Sequence, residues 1–344
     1  MAPMTRAQSP LGVPTPAMAG YYARRAAAGV GLIISEGTGV RRPSSLNEPN
    51  APRFHGSDAL EGWRRTLRGV HAAGGRMAPQ IWHVGAMPHV RAEWASPDPL
   101  DSPSGLVSPD EPCGEPMTDS EIADTIEAFA DAAAEAVALG FDAIEIHGAH
   151  GYLIDQFFWA GTNRRLDAYG GRDLTARTRF AVDVIRAMRT RMPNEMPLIL
   201  RISQFKQQDY LVKLAADPNE LERWLMPLAE AGVTIFHCSQ RRFWEAEFEG
   251  SDLNLAGWVK RVTGRPTITV GSIGLARDVA TAYQGERSPP APLAEVIRRL
   301  ERGDFDLVAI GRALLQDPNW AAKVASGLEA DLMDFDPASM RVLT

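Results

Sequence analysis

The stretch IEIHGAHGYLIDQF at residues 144–157 decides how this chain is read. With Ala143 ahead of it, residues 143–146 form a short aliphatic run that predicts a strand. His147, His150 and Tyr152 follow at the strand's C-terminal end. Residues 119–139, just upstream, predict an amphipathic helix, because Ile122, Ile126, Phe129, Ala133 and Val137 fall near one face. Thr118 and Glu121 have capping-box spacing at its start, and Gly140 ends it before the strand. A helix feeding a strand that opens into a polar loop is one piece of a repeated β/α pattern.

The same rhythm runs outward in both directions. Eight strands are predicted, at 2–4, 30–35, 76–81, 143–146, 198–202, 234–238, 267–270 and 307–310, with further helices at 175–192 and 293–302. Eight parallel strands close a barrel, so the expected fold is α/β, a single (β/α)8 barrel over residues 1–344. The Pro- and Ser-rich residues 96–116 interrupt one β/α unit without separating two cores, and predict an excursion at about 84–117 over the barrel mouth. A doubly wound sheet is disfavoured because no GxGxxG follows the first strand.

Composition narrows the function. The 344 residues are 45% hydrophobic and 23% charged, as expected of a globular enzyme. A net charge of −7 argues against general affinity for nucleic acid or an anionic membrane. Cys113 and Cys238 are the only cysteines, too few for a disulfide framework or an iron–sulfur cluster, and a reducing cytoplasm fits them. No apolar run approaches the length of a spanning helix, and no export signal opens the chain.

Polar residues at strand ends converge on one mouth of such a barrel. They include Thr5, residues 36–38, Gln80, Trp82, His83, His147, His150, Tyr152, Arg201 and residues 239–244. The loops VGSIG at 270–274 and IGRA at 310–313, with Arg312, suit a phosphate, because small residues bare backbone N–H groups. Each loop alone is equally a tight turn. A phosphate held by both implies a resident cofactor.

Six segments occur in one order: MAPMTR (1–6), QIWHVG (80–85), the 144–157 stretch with TNRRLDAYGG (162–171), LRIS (200–203) and the two phosphate loops. In that order the chain resembles the Old Yellow Enzyme family over essentially its whole length. The resemblance implies bound FMN, a hydride taken from NADPH or NADH, and its delivery to the β-carbon of an activated alkene such as an α,β-unsaturated carbonyl. Carried over residue by residue, Pro3, Met4, Thr5 and Gly37 would border the flavin, with Gln80 at its pyrimidine edge. Arg201 would lie by N1 and O2, and Gly271, Ser272, Gly311 and Arg312 around the phosphate. His147 and His150 would bind the substrate oxygen, His147 also reaching the flavin. Tyr152 would protonate the α-carbon, and Trp82, Phe243 and Trp244 would complete the substrate site.

Alternatives stay open at this stage. The histidines could be structural or bind a metal, although no third ligand has recognisable spacing; Arg201 could form an ion pair and Trp82 could be core. Phe243 and Trp244 could equally anchor their loop or meet another subunit, since a homo-oligomer is compatible with the sequence. Other functional readings are a flavin barrel of different specificity, such as a dienoyl-CoA reductase or amine demethylase, a non-redox phosphate-binding barrel, or a degenerate flavin-binding protein. Two departures from the family pattern are Ala86, where many members carry Arg, and Thr5, where some carry Cys. The sequence also opens on the first motif without the family's usual leader and bottom hairpin, which predicts weak flavin retention or low stability for a chain starting at Met1.

Overall fold

The computed structural model describes every residue except 91, 92, 95, 96 and 98, so part of the expected excursion lies outside the described residues. Nine strands form. They are β1 (Leu32–Gly39), β2 (Arg76–Trp82), β3 (Leu106–Ser108), β4 (Glu111–Pro112), β5 (Ile144–His147), β6 (Leu198–Ser203), β7 (Ile235–Ser239), β8 (Thr267–Val270) and β9 (Leu307–Val308). Seven make one parallel sheet in the order β1-β2-β5-β6-β7-β8-β9, and β3 pairs antiparallel with β4.

Seven of the eight predicted strands appear in the parallel sheet, shifted by a few residues at their ends. The exception is residues 2–4, which form no strand of their own. Met1 donates its terminal nitrogen to Leu32 O at 2.6 Å and accepts from Ile34 N at 3.1 Å, while Ala2 N reaches Ile310 O at 2.8 Å. This short segment therefore sits between the two open edges of the sheet and joins them into a barrel. Pro3 has no N–H to continue the ladder, which is why the pairing stops there. The β3–β4 hairpin was not anticipated, and lies inside the expected excursion.

Helices flank the sheet. The longest, α1 (Asp119–Leu139), has the boundaries expected, with both capping-box bonds between Thr118 and Glu121 and a left-handed Gly140 at φ 88°. The predicted helix at 175–192 divides into a 3₁₀ turn (Ala176–Thr178) and a shorter helix (Arg179–Arg189).

Strand alternation sorts the barrel interior by height. Ala78, Ala143, Ile199, Ile235 and Ile268 belong to an apolar cluster at the bottom. Two residues further along, Gln80, Glu145, Arg201 and His237 form a polar layer, and beyond it Trp82, His147 and Ser239 reach the mouth. The residues between, such as Ile144 and Ile146, pack outward into the main core under the helices. No helix among the described residues is long and apolar enough to cross a membrane.

Candidate active site

A cavity of about 930 Å³ opens at the C-terminal ends of the strands. Pro3, Met4, Thr5, Gly37, Gln80, Trp82, His147, His150, Tyr152, Arg201, Gly271, Ser272, Gly311 and Arg312 all line it. Phe243 and Trp244 do not. The Phe243 ring is buried, its backbone N–H is spent on Gly271 O at 3.2 Å, and Trp244 packs edge-on against it 5.2 Å away. From the end of β7 and the start of that loop Ser239, Gln240 and Arg241 face the cavity instead. The buried Phe243 ring anchors the loop, because an apolar ring is better buried than held over a polar mouth, whereas Trp244 stays 37% exposed beside it.

Three rings from one turn meet on the cavity wall. His147 lies at the end of β5, His150 sits 5.2 Å away at φ 65°, and the Tyr152 ring stands edge-on to His147 at 4.8 Å. Trp82 supports them from β2, 5.1 Å from Tyr152 and roughly parallel to His147 at 6.4 Å. Space for that indole comes from Gly37, where a Cβ would fall 2.6 Å from Trp82 Cε3.

Electrostatics set the protonation states. Burial, reinforced by the Arg201 charge, pulls both His147 and His150 well below the ordinary 6.5, so both rings are neutral. His147 Nδ1 accepts from Ala149 N at 3.4 Å, which leaves Nε2 to carry the proton. His150 Nε2 pairs with Ser239 Oγ at 2.7 Å. Burial pushes the Tyr152 phenol up to about 12, opposed by a hydrogen bond from Gln207 Nε2 at 3.1 Å.

Beneath the rings, Glu145 accepts from Gln80 Nε2 at 2.7 Å and pairs with His237 Nδ1 at 2.6 Å, all three side chains buried. Arg201 lines the cavity above this carboxylate, and its Nε has no hydrogen-bond partner among the described residues. On the far wall Gly271 turns at φ 144°, and a Cβ there would come within 2.0 Å of Gln240 O. Ser272 follows at φ 51°. Arg312 is held by the carbonyls of Asp278 (3.0 Å) and Arg277 (2.6 Å) rather than by a carboxylate, so its charge is available to an anion. A buried guanidinium nitrogen without an acceptor, a backbone wall that excludes side chains and a cation held by neutral groups all fit FMN.

The sequence did not mark Glu145, His237, Phe205, Gln207, Gln208 or Tyr210. Strand alternation offered a signal for Glu145 and His237, which share a face with His147 and Ser239 two residues on. The others sit on loops, where no periodicity marks them. His83, once a mouth candidate, points away and pairs with Asp101 at 2.8 Å. Among the described residues no grouping of three or more His, Cys, Asp or Glu side chains could hold a metal ion.

Known proteins agree with this geometry. Residues 1–331 match the NADH:flavin oxidoreductase / NADH oxidase family. 12-Oxophytodienoate reductase 7 of Oryza sativa subsp. japonica is 33% identical over 339 residues, 93% of this chain and 82% of that protein. NADH oxidase of Thermoanaerobacter brockii is 33% identical over 324 residues, 91% of this chain but 46% of that longer protein. Morphinone reductase, solved in complex with tetrahydroNAD, superposes with a TM-score of 0.79 at 27% identity, covering 99% of this chain and 89% of its own. The chain thus belongs to the NADH:flavin oxidoreductase / NADH oxidase family, the old yellow enzyme group its motifs resemble, and is an NAD(P)H-dependent flavin oxidoreductase that uses FMN.

Proposed function

We propose that this oxidoreductase reduces the carbon–carbon double bond of an α,β-unsaturated carbonyl compound. The observation that carries the reading is the convergence of two neutral histidines and one protonated tyrosine on a single wall of the cavity. FMN, when bound, would supply the hydride chemistry that links the nicotinamide to the alkene. Pro3, Met4, Thr5 and Gly37 would border its ring, Gln80 and Arg201 its pyrimidine edge, and Gly271, Ser272, Gly311 and Arg312 its phosphate. Arg201, a cation that Glu145 only partly offsets, would favour the negative charge of the reduced ring.

The protein's own contribution is polarisation and proton supply. His147 Nε2–H would donate to the substrate carbonyl oxygen, and His150 would exchange part of its Ser239 contact for the same oxygen, so charge developing there is stabilised. Tyr152, whose phenol holds its proton at neutral pH, would donate it to the α-carbon. The described residues of the 84–117 excursion would roof the cavity, an assignment supported by Val107 and Ser108 of the hairpin in its lining.

The test is spectroscopic. Purified protein should be yellow, bleach anaerobically with NADPH or NADH, and recover its colour on adding cyclohexenone. Tyr152→Phe should slow that recovery by about a hundredfold or more while leaving bleaching unchanged. Equal loss in both steps would remove the proton-donor role, and a protein that takes up no FMN would overturn the reading altogether.

A further inference from the structure

The loop after β6 clasps the turn that carries Tyr152. His150 and Lys206 form a parallel bridge, and Gln207 N donates to His150 O at 3.3 Å. Gln208 Nε2 donates to Gly151 O at 3.1 Å. Lys206 Nζ reaches Asp155 Oδ1 at 2.7 Å, with both side chains fully buried, and the second oxygen of Asp155 accepts from Gly151 N at 2.6 Å. His150 N donates to Ser203 Oγ at 3.0 Å, and its ring stacks on Phe205 at 5.3 Å. So many bonds to a three-residue turn match its backbone, since His150 sits in the left-handed region at φ 65° and such a conformation persists only where its surroundings impose it.

One member of the loop touches the reacting group. Gln207 Nε2 donates to Tyr152 Oη at 3.1 Å. A phenol oxygen that accepts from an amide N–H turns its own proton elsewhere, and the Tyr152 ring lines the cavity.

We propose that Gln207 is a positioning residue for Tyr152, directing the phenolic proton into the cavity and stabilising the phenolate that forms when it leaves. The inference rests on the reading of Tyr152 as proton donor. In that step the Tyr152 O–H bond breaks as the α-carbon–hydrogen bond forms, the hydride has gone to the β-carbon, and solvent returns a proton to the phenolate. Charge therefore grows on the oxygen that Gln207 touches, where a hydrogen bond is worth more than in the resting state. The Lys206–Asp155 pair holds the loop in register with the turn.

The experiment is a double-mutant cycle on FMN-loaded protein in anaerobic stopped flow. Gln207→Leu should slow reoxidation by cyclohexenone about tenfold to a hundredfold. Bleaching by NADPH, and reoxidation by ferricyanide, which takes electrons without needing a proton, should keep their rates. In a Tyr152→Phe background the same substitution should have no further effect. Equal slowing in both backgrounds, or slowing with ferricyanide, would show a general structural role and overturn the inference. If Tyr152→Phe slows cyclohexenone reoxidation and Gln207→Leu does not, the positioning role alone fails. If Tyr152→Phe has no effect, the proton-donor reading fails and takes this inference with it.

Discussion

Gly37→Ala tests whether the cavity wall is built on a single missing side chain. Gly37 lies just past the register shift in β1 and pairs with Gln80 on β2. A Cβ there would fall 2.6, 2.7 and 3.1 Å from Cε3, Cδ2 and Cγ of Trp82, well inside the separation of about 3.5–4 Å that two carbons prefer. The indole, only 3% exposed, must shift by about 1 Å to relieve the contact, and it cannot do so without pressing on His147 and Tyr152. Overpacking of this size costs about 1–3 kcal/mol. In a Trp82→Ala background, which has no atom beyond Cβ, the alanine at 37 should cost almost nothing. Urea unfolding of the four proteins at unchanged m value reads the coupling directly as about 1–3 kcal/mol. The same loss from Gly37→Ala in both backgrounds, or no loss in either, would refute the steric account.

Two further outcomes follow from buried charge. Lys206→Met leaves the Asp155 carboxylate buried without its cation and should cost about 3–5 kcal/mol in a denaturation midpoint measurement, part of which Asp155→Asn should restore in the double variant. Glu36 should make stability fall as pH rises. Burial pushes its carboxyl from 4.5 up to about 7, against the pull of the Arg6 and Ala7 amides and the Arg6 charge, so the folded chain holds a proton that the unfolded chain releases between those values. That window is worth about 3 kcal/mol at most, and melting temperatures of Glu36→Gln should be less sensitive to pH between about 4.5 and 7 than those of the parent. A pH profile identical for the two proteins would show that Glu36 is ionised throughout.

Much of the barrel was legible because its signals are local. Seven strands and α1 follow from short-range pattern and from caps such as Thr118 and Gly140, which depend on neighbours a few residues away. Residues 2–4 misled the reading, because an aliphatic segment beside a proline looks like a strand until the partners of its two N–H groups are known. The cavity-lining candidates on strand ends were legible for a similar reason, since barrel topology sends strand ends to one mouth. Phe243 and Trp244 were not, because a loop has no periodicity to say which side chains turn inward.

The sequence by itself determined the parallel β/α order, the family and the placing of His147, His150 and Tyr152 on one strand-to-helix turn. Each follows from residue types at fixed spacing. Only the tertiary structure decided which groups act on those three: Gly37 making room for Trp82, Glu145 with His237 beneath the site, and Gln207 on the tyrosine oxygen 55 positions away in the chain. Protonation states belong to the same class, since the neutral histidines arise from burial and from Arg201, which the fold brings near from another strand, and the high phenol pKa arises from burial against the pull of that same cation. Spacing along the chain specifies what an element can be, whereas a group's charge and hydrogen bonds depend on what is packed around it.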